Sequence, residues 1–283
     1  MPIPEGVSPA GEPLMLWIAW SVWTAWHCTL EGVRFLGAFF LLVAASRLPA
    51  QTSALQASPA WKLSPAASGM RTYGVEWRLI RAGTVTLEFS KTQATMHLQS
   101  SGIVSSLFKV DDVYTASYDE PYCVTSTVMD SMEGRRHHDT RVTYDRVRNR
   151  AWFVERDALK NAVIREASTD IPNCVSDVVG ALLKFRGLSL EPGQTAELPV
   201  SDGRRFAMVP IKAMEREEVK TPSGVYHTIR YEAGIMNGVI YPRKGHVDLW
   251  LTDDPRKMAV QIRLRLSFPV GSVTLELEKE EQP

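Results

Sequence analysis

The chain has 283 residues, of which 45% are hydrophobic and 23% are charged, a composition typical of a globular protein rather than a disordered one. Lysine and arginine together number 32, as do aspartate and glutamate, so the formal net charge is zero. A balanced chain has no overall field to attract a polyphosphate, which argues against a nucleic acid as its partner.

An apolar segment near the start of the chain has the features of a secretory signal. Arg34 precedes an apolar run over residues 35–45, a length within the usual range of about 7–15 residues, and small residues place cleavage near Ala50. We therefore expect residues 33–50 to be a signal peptide and the mature protein to be periplasmic or otherwise exported. Residues 51–70 are rich in Ala, Ser, Pro and Gln, which predicts a flexible spacer.

The segment before this signal, residues 1–32, is unusual because a signal peptide normally begins at its own basic region. It carries four tryptophans, Trp17, Trp20, Trp23 and Trp26. We interpret residues 1–32 as the result of a start codon assigned too far upstream, with Val33 as the true first residue. On this interpretation the mature protein does not span a membrane. The alternative is a membrane anchor formed by residues 14–30 and 33–45, although the second is shorter than the roughly 18 apolar residues of a span.

Three cysteines occur, Cys28, Cys123 and Cys174, and none has the spacing of a zinc site. We therefore expect no metal and no cofactor. Because Cys28 falls before the expected cleavage site, Cys123 and Cys174 remain as a pair in a compartment that permits oxidation. A disulfide between them and two separate buried thiols are both consistent with the sequence.

Alternation of apolar and polar residues with a period of two dominates the chain beyond Met70. Residues 75–79 and 84–89, separated at Gly83, predict a β-hairpin. Nine further segments show the same alternation: residues 95–99, 124–129, 141–144, 151–155, 206–214, 225–232, 247–251, 259–268 and 272–278. This density of strands favours an antiparallel meander, sandwich or barrel over a βαβ architecture.

A single helix is predicted over residues 174–185, with Gly187 as its C-terminal stop. Its apolar residues recur at spacings of three and four: Val175, Val178, Val179, Leu182 and Leu183. A lone helix in a β-rich chain has no other helix to pack on, so we expect this stripe to be buried against the sheet. Two separate units would each be a bare sheet with one apolar face, and we therefore predict one domain over residues 71–280.

Two polar motifs are candidates for chemistry, residues 135–139 (Arg-Arg-His-His-Asp) and 253–256 (Asp-Asp-Pro-Arg). Adjacent residues of a strand point to opposite faces, so His137 and His138 do not readily share a metal ion. We interpret residues 135–139 as a solvated hairpin tip.

Paired carboxylates can act in acid–base catalysis, but Asp-Asp-Pro is also typical of a tight turn, and we interpret residues 253–256 and 111–112 as turns. Common nucleophile, phosphate-loop and zinc-protease motifs do not occur, and we expect a protein that is not an enzyme.

Several segments occur in a recognisable order: residues 73–77 (Tyr-x-x-x-Trp), 81–87, 102–108, 110–112, 142–145, 177–186, 224–229 and 249–260. This order resembles that of a bacterial envelope family known as domain of unknown function 3108, over roughly residues 73–277. The resemblance carries no catalytic residues. It implies a mainly β fold: a curved, incompletely closed antiparallel sheet, half-barrel-like, with one packed helix, as in periplasmic lipoprotein carriers that hold acyl chains on a concave apolar face.

These observations lead to the hypothesis of an exported, non-enzymatic binding or scaffolding protein whose partner is a lipid or the acyl chain of an envelope lipoprotein. The candidate ligand contacts lie on the helix and on one late strand: Val178, Leu182, Leu183 and Trp250. One alternative is a structural partner in envelope assembly that docks through strand edges. The other, with least support, is a hydrolase with unrecognised residues.

Overall fold

The computed structural model describes residues 68–119, 122–267 and 271–281. The predictions for residues 1–32, for the signal peptide at 33–50, for Cys28 and for nearly all of the spacer fall outside the described residues. Within the described part of the chain, no helix has both the length and the apolar character needed to span a membrane.

In the described part of the chain, fourteen strands form one antiparallel sheet with the order β8-β7-β6-β5-β4-β3-β2-β1-β14-β13-β12-β11-β10-β9. Pairing of β1 with β14 joins the two runs of strands into a single sheet, and the predicted antiparallel β fold is confirmed. The strands are β1 Gly69–Trp77, β2 Ile80–Phe89, β3 Gln93–Ser100, β4 Val110–Asp119, β5 Cys123–Glu133, β6 Arg136–Asp145, β7 Arg150–Asp157, β8 Ala162–Asp170, β9 Thr195–Ser201, β10 Phe206–Thr221, β11 Gly224–Ala233, β12 Gly245–Thr252, β13 Ala259–Leu266 and β14 Gly271–Glu281.

Two helices lie among the described residues, α1 (Gly102–Leu107) between β3 and β4 and α2 (Val178–Phe185) between β8 and β9. The sequence predicted only the second and started it too early, at Cys174. Helix α2 begins after Asp177, whose carboxylate accepts hydrogen bonds from the amides of Val179 and Gly180, both at 3.1 Å, as an N-cap does. Helix α1 buries none of its side chains, so it has no apolar stripe that periodicity could detect.

The sheet is not closed, because its two edge strands, β8 and β9, are not paired with each other. The chain between them returns across the open side. The Ser176 amide donates to the Pro199 carbonyl at 3.0 Å, and the Val124 amide donates to the Val175 carbonyl at 2.8 Å. A disulfide joins Cys123 to Cys174, with Cα atoms 5.0 Å apart. Of the two alternatives that the sequence left open for these cysteines, the disulfide is the one present, and it links the segment before α2 to β5.

The hairpin between β1 and β2 turns at Arg78 and Leu79, not at Gly83 as the sequence suggested. Both turn residues have positive φ, 49° and 69°, which is the conformation of a two-residue hairpin turn. Gly83 lies inside β2, where a Cβ atom would sit 2.3 Å from the Gln99 carbonyl oxygen of β3. The glycine is required by this close approach of two strands.

The interpretation of residues 111–112 as a turn is wrong. Both lie in β4, and Asp112 is fully buried opposite Ser131 of β5. The interpretation of residues 253–256 as a turn is correct, since Asp254 Oδ1 accepts the Arg256 amide at 2.9 Å, the short-range contact that stabilises such turns.

Candidate functional site

A cavity lies between the sheet and α2. Its empty space, with the open mouth included, is about 1660 Å³. Every strand except β8 contributes a lining side chain, and most of these side chains are aliphatic or aromatic. A concave, mainly apolar space with a few polar groups is the usual form of a small-molecule site in proteins.

The structure separates the four predicted ligand contacts into two groups. Val178 and Leu182 line the cavity, whereas Leu183 and Trp250 do not. Leu183 is 4% exposed and packs in the core, while Leu182 is only half-buried, so the expectation that both leucines are fully buried is wrong for Leu182. The difference follows from helix geometry, because consecutive residues point in directions about 100° apart.

Trp250 faces the other side of β12. Its indole nitrogen donates to Glu217 Oε1 at 2.7 Å, and the Arg263 guanidinium lies 5.1 Å from its ring. The preceding residue, Leu249, lines the cavity, because successive side chains of a strand alternate between its faces. Trp250 therefore belongs to a polar cluster on the outer face of the sheet.

Asp177 organises the part of the cavity wall beside α2. In addition to capping the helix, its Oδ2 accepts the Tyr114 hydroxyl at 2.8 Å. Burial raises the pKa of this carboxyl group, although the hydrogen bond from Tyr114 opposes the shift. Tyr144 donates to the Ser201 carbonyl at 3.3 Å, and these contacts tie α2 and β9 to the strands on the far side of the opening.

A second part of the wall, formed by β5, β6 and β7, is polar. Ser131 pairs with His138 and Thr140 pairs with Glu155 in the strand register, and all four line the cavity. His138 Nδ1 lies 3.2 Å from Glu155 Oε1. The second carboxylate oxygen, Oε2, is buried and has no hydrogen-bond partner among the described residues. An unpaired buried acceptor is unfavourable, so a ligand that donates to it would be stabilised here.

The interpretation of residues 135–139 as a solvated hairpin tip is correct for the turn and wrong for His138. Strands β5 and β6 do meet at this hairpin, and His137 faces outward, 2.7 Å from Asp130. The His138 side chain faces the cavity and is only 14% exposed. The predicted strand over residues 141–144 contained the missing signal, because extending its period of two towards the N-terminus places His138 on the inner face.

Ser131, His138 and Glu155 are the residue types of a nucleophile, a base and an orienting carboxylate. The Ser131 hydroxyl, however, lies against the carboxyl groups of Asp112 and Glu133. Within the described ranges no hydrogen bond joins it to His138, so the contact that activates a serine nucleophile is not formed. Nor do the described residues include a group of three or more His, Cys, Asp or Glu side chains placed to hold a metal ion.

Asp112 and Glu133 are two buried carboxyl groups behind Ser131, with exposed fractions of 0% and 1%. Burial raises the pKa of Asp112 to about 7. Burial, reinforced by the neighbouring Asp112 charge, raises the pKa of Glu133 to about 9. At neutral pH the pair therefore retains at least one proton, which removes charge that would be costly to bury.

We expect the free energy of unfolding to fall as the pH rises from 5 to 9. In the unfolded chain both carboxyl groups titrate near about 4, so above that pH the folded protein binds more protons than the unfolded chain. Linkage then makes stability decrease with pH until the folded-state pKa values are passed. Denaturant unfolding at several pH values measures this dependence of stability on pH. We expect Asp112→Asn to make it weaker. Glu88→Gln, at an exposed position of β2, is the control and should leave it unchanged. A wild-type slope that Asp112→Asn leaves unchanged would contradict the assignment.

A similar fold is found in a solved structure whose TM-score to this chain exceeds 0.5, and two further structures match with lower scores. The β-barrel-like protein of domain of unknown function DUF1849 from Brucella abortus has a TM-score of 0.52 and 9% identity, over 79% of this chain and 100% of that chain. A DUF1089 family protein from Pseudomonas aeruginosa has a TM-score of 0.36 and 13% identity, over 65% of this chain and 90% of that chain. A protein assigned as exported, with a YmcC-like fold, from Bacteroides fragilis has a TM-score of 0.29 and 11% identity, over 79% and 100%. At 9% identity the likeness to the Brucella abortus protein concerns the fold alone.

None of the curated proteins matches the sequence. A family model described as protein of unknown function (DUF3108) matches residues 72–278. This range runs from β1 into β14 and contains every residue that lines the cavity.

Proposed function

The chain belongs to the DUF3108 family, as its segment order indicated, and from this premise we propose that it is an exported, non-enzymatic carrier that holds the apolar chain of an amphiphile in its cavity. The observation that carries the proposal is the open-mouthed cavity between the sheet and α2, which is lined mainly by apolar side chains. Transfer of an alkyl chain from water into such a space is favourable by about 0.8 kcal/mol for each buried CH₂ group.

Two features support export. The apolar run over residues 35–45 follows Arg34 in the pattern of a secretory signal. The disulfide between Cys123 and Cys174 is of a kind that persists in oxidising compartments and is rare in the reducing cytosol. A periplasmic location agrees with both features.

Docking of an envelope partner along β8 is a second candidate function. Among the described residues, this edge strand pairs only with β7 and contributes nothing to the cavity wall. It buries none of its side chains. An edge of this kind can accept a strand from another protein. In this case β8, and not the cavity, would be the functional surface.

The carrier proposal is tested by filling the cavity. Wild-type protein should bind the fluorescent apolar dye 1-N-phenylnaphthylamine, and 1-dodecanol should displace it. Ala181 lines the cavity on α2, so the indole of Ala181→Trp would occupy the space of the alkyl chain, and we expect binding at least about tenfold weaker.

Ala162→Trp is the matched control, because Ala162 is exposed on β8 and lies away from the cavity. It should bind the dye as the wild type does. Absence of binding by the wild type, or an Ala181→Trp protein with unchanged affinity, would remove the support for a carrier and leave the β8 edge as the stronger candidate.

A further inference from the structure

The polar part of the cavity wall indicates which kind of amphiphile the cavity holds. We propose that Glu155, together with Ser131, His138 and Thr140, binds a primary ammonium head group, so that the ligand is a cationic amphiphile and not a fatty acid or another anionic lipid. This inference rests on the proposed carrier function, whose apolar space would take the alkyl chain.

Within the described residues, Glu155 offers a buried, unpaired acceptor on the cavity wall. Its side chain is 2% exposed, lines the cavity and uses only Oε1 in the contact with His138. Oε2 is buried without a partner in the described part of the chain. An ammonium group has three donors and no acceptor, and its hydrogen bond to a carboxylate is of the strong, charge-assisted kind.

Neighbouring groups provide further acceptors for such a head group. The hydroxyls of Ser131 and Thr140 lie on the same wall and each has lone pairs to offer. The His138 ring lies beside Glu155, with Nδ1 3.2 Å from Oε1, and a neutral imidazole has one accepting nitrogen. The three N–H bonds of an ammonium could therefore all be satisfied within this part of the wall.

The charges of the cavity wall disfavour an anionic head group. Three carboxyl groups line the cavity, those of Glu155, Asp177 and Asp202, beside His138 and the guanidinium of Arg204. Arg204 is already paired with Asp202, through contacts of 3.1 and 2.8 Å to the same oxygen, and it lies over the Phe153 ring. A carboxylate or phosphate placed near Glu155 would meet like charge.

The test compares three probes with the same twelve-carbon chain at pH 7, each measured by displacement of the bound dye. They are dodecylammonium, 1-dodecanol and dodecanoate. For the wild type we expect dodecylammonium to bind at least about tenfold more tightly than dodecanoate, with 1-dodecanol between them. In Glu155→Gln this preference should fall to less than about threefold.

Glu166→Gln is the matched control, since it removes one carboxylate from the exposed surface of β8 and should keep the full preference. If the wild type binds dodecanoate as tightly as dodecylammonium, the ammonium site is refuted and the carrier function stands. If it binds none of the three probes, the carrier function itself fails. If a disturbed fold makes Glu155→Gln unable to bind 1-dodecanol, the preference of the wild type for dodecylammonium over dodecanoate alone decides whether the ammonium site exists.

Discussion

Replacing Cys123 and Cys174 together by alanine is expected to lower the free energy of unfolding by about 4 kcal/mol. The two residues are 51 positions apart in the chain, and a cross-link over this distance removes about that much conformational free energy from the unfolded state. The bridge also fixes the extended segment whose Val175 and Ser176 hydrogen-bond to β5 and β9. Urea unfolding of the two proteins, each without reductant, measures the difference.

A reductant supplies the control. Dithiothreitol should destabilise the wild type by a similar amount and should have no effect on the double variant, which has no bridge to lose. A difference below about 1 kcal/mol would mean that the unfolded chain gains little freedom when the bridge is absent, contrary to the entropic account.

Leu183→Ala is expected to destabilise the protein by about 2–5 kcal/mol, the usual range for removal of a buried leucine side chain. Leu183 is 4% exposed and packs among the core residues behind α2. Leu182 is its matched partner on the same helix, because it is half-buried and lines the cavity. We expect Leu182→Ala to cost less than half as much stability and to weaken dye binding more.

Thermal and denaturant unfolding, together with dye titration, separate the two leucines. Equal losses of stability in Leu182→Ala and Leu183→Ala would show that the two side chains are equally buried, contrary to the structure. Weaker dye binding in Leu183→Ala at full stability, with normal binding in Leu182→Ala, would contradict the orientation of α2.

The sequence predicted most of the strands whose inner face is apolar and whose outer face is polar, but it missed β4 and β9, which bury Tyr118 and Leu198. In β7, Ala151 and Phe153 are buried and the intervening Trp152 is exposed, so alternation is visible even with a tryptophan outside. Edge strand β8 buries no side chain, and it was missed because a strand without a buried face has no apolar period. The existence of α2 was predicted correctly, whereas the sequence left the disulfide between Cys123 and Cys174 open against two separate thiols.

The site itself was less accessible to sequence reasoning. Alternation gives the face on which a residue lies but not the curvature that brings β2, β6 and β10 around one space, so only the family resemblance indicated a concave site. Asp112, His138 and Glu155 occupy inward positions, where they interrupt the apolar pattern. Trp250 shows the opposite error, since its residue type suggested a ligand contact although its position in β12 places it outside.

The central claim, that the cavity holds an apolar chain, is tested most directly by native mass spectrometry of the protein purified from cells that export it. We predict a bound species with the mass of an amphiphile that is released by organic solvent and absent from Ala181→Trp. The account would be contradicted by wild-type protein that carries no bound molecule and also takes up none of the twelve-carbon probes.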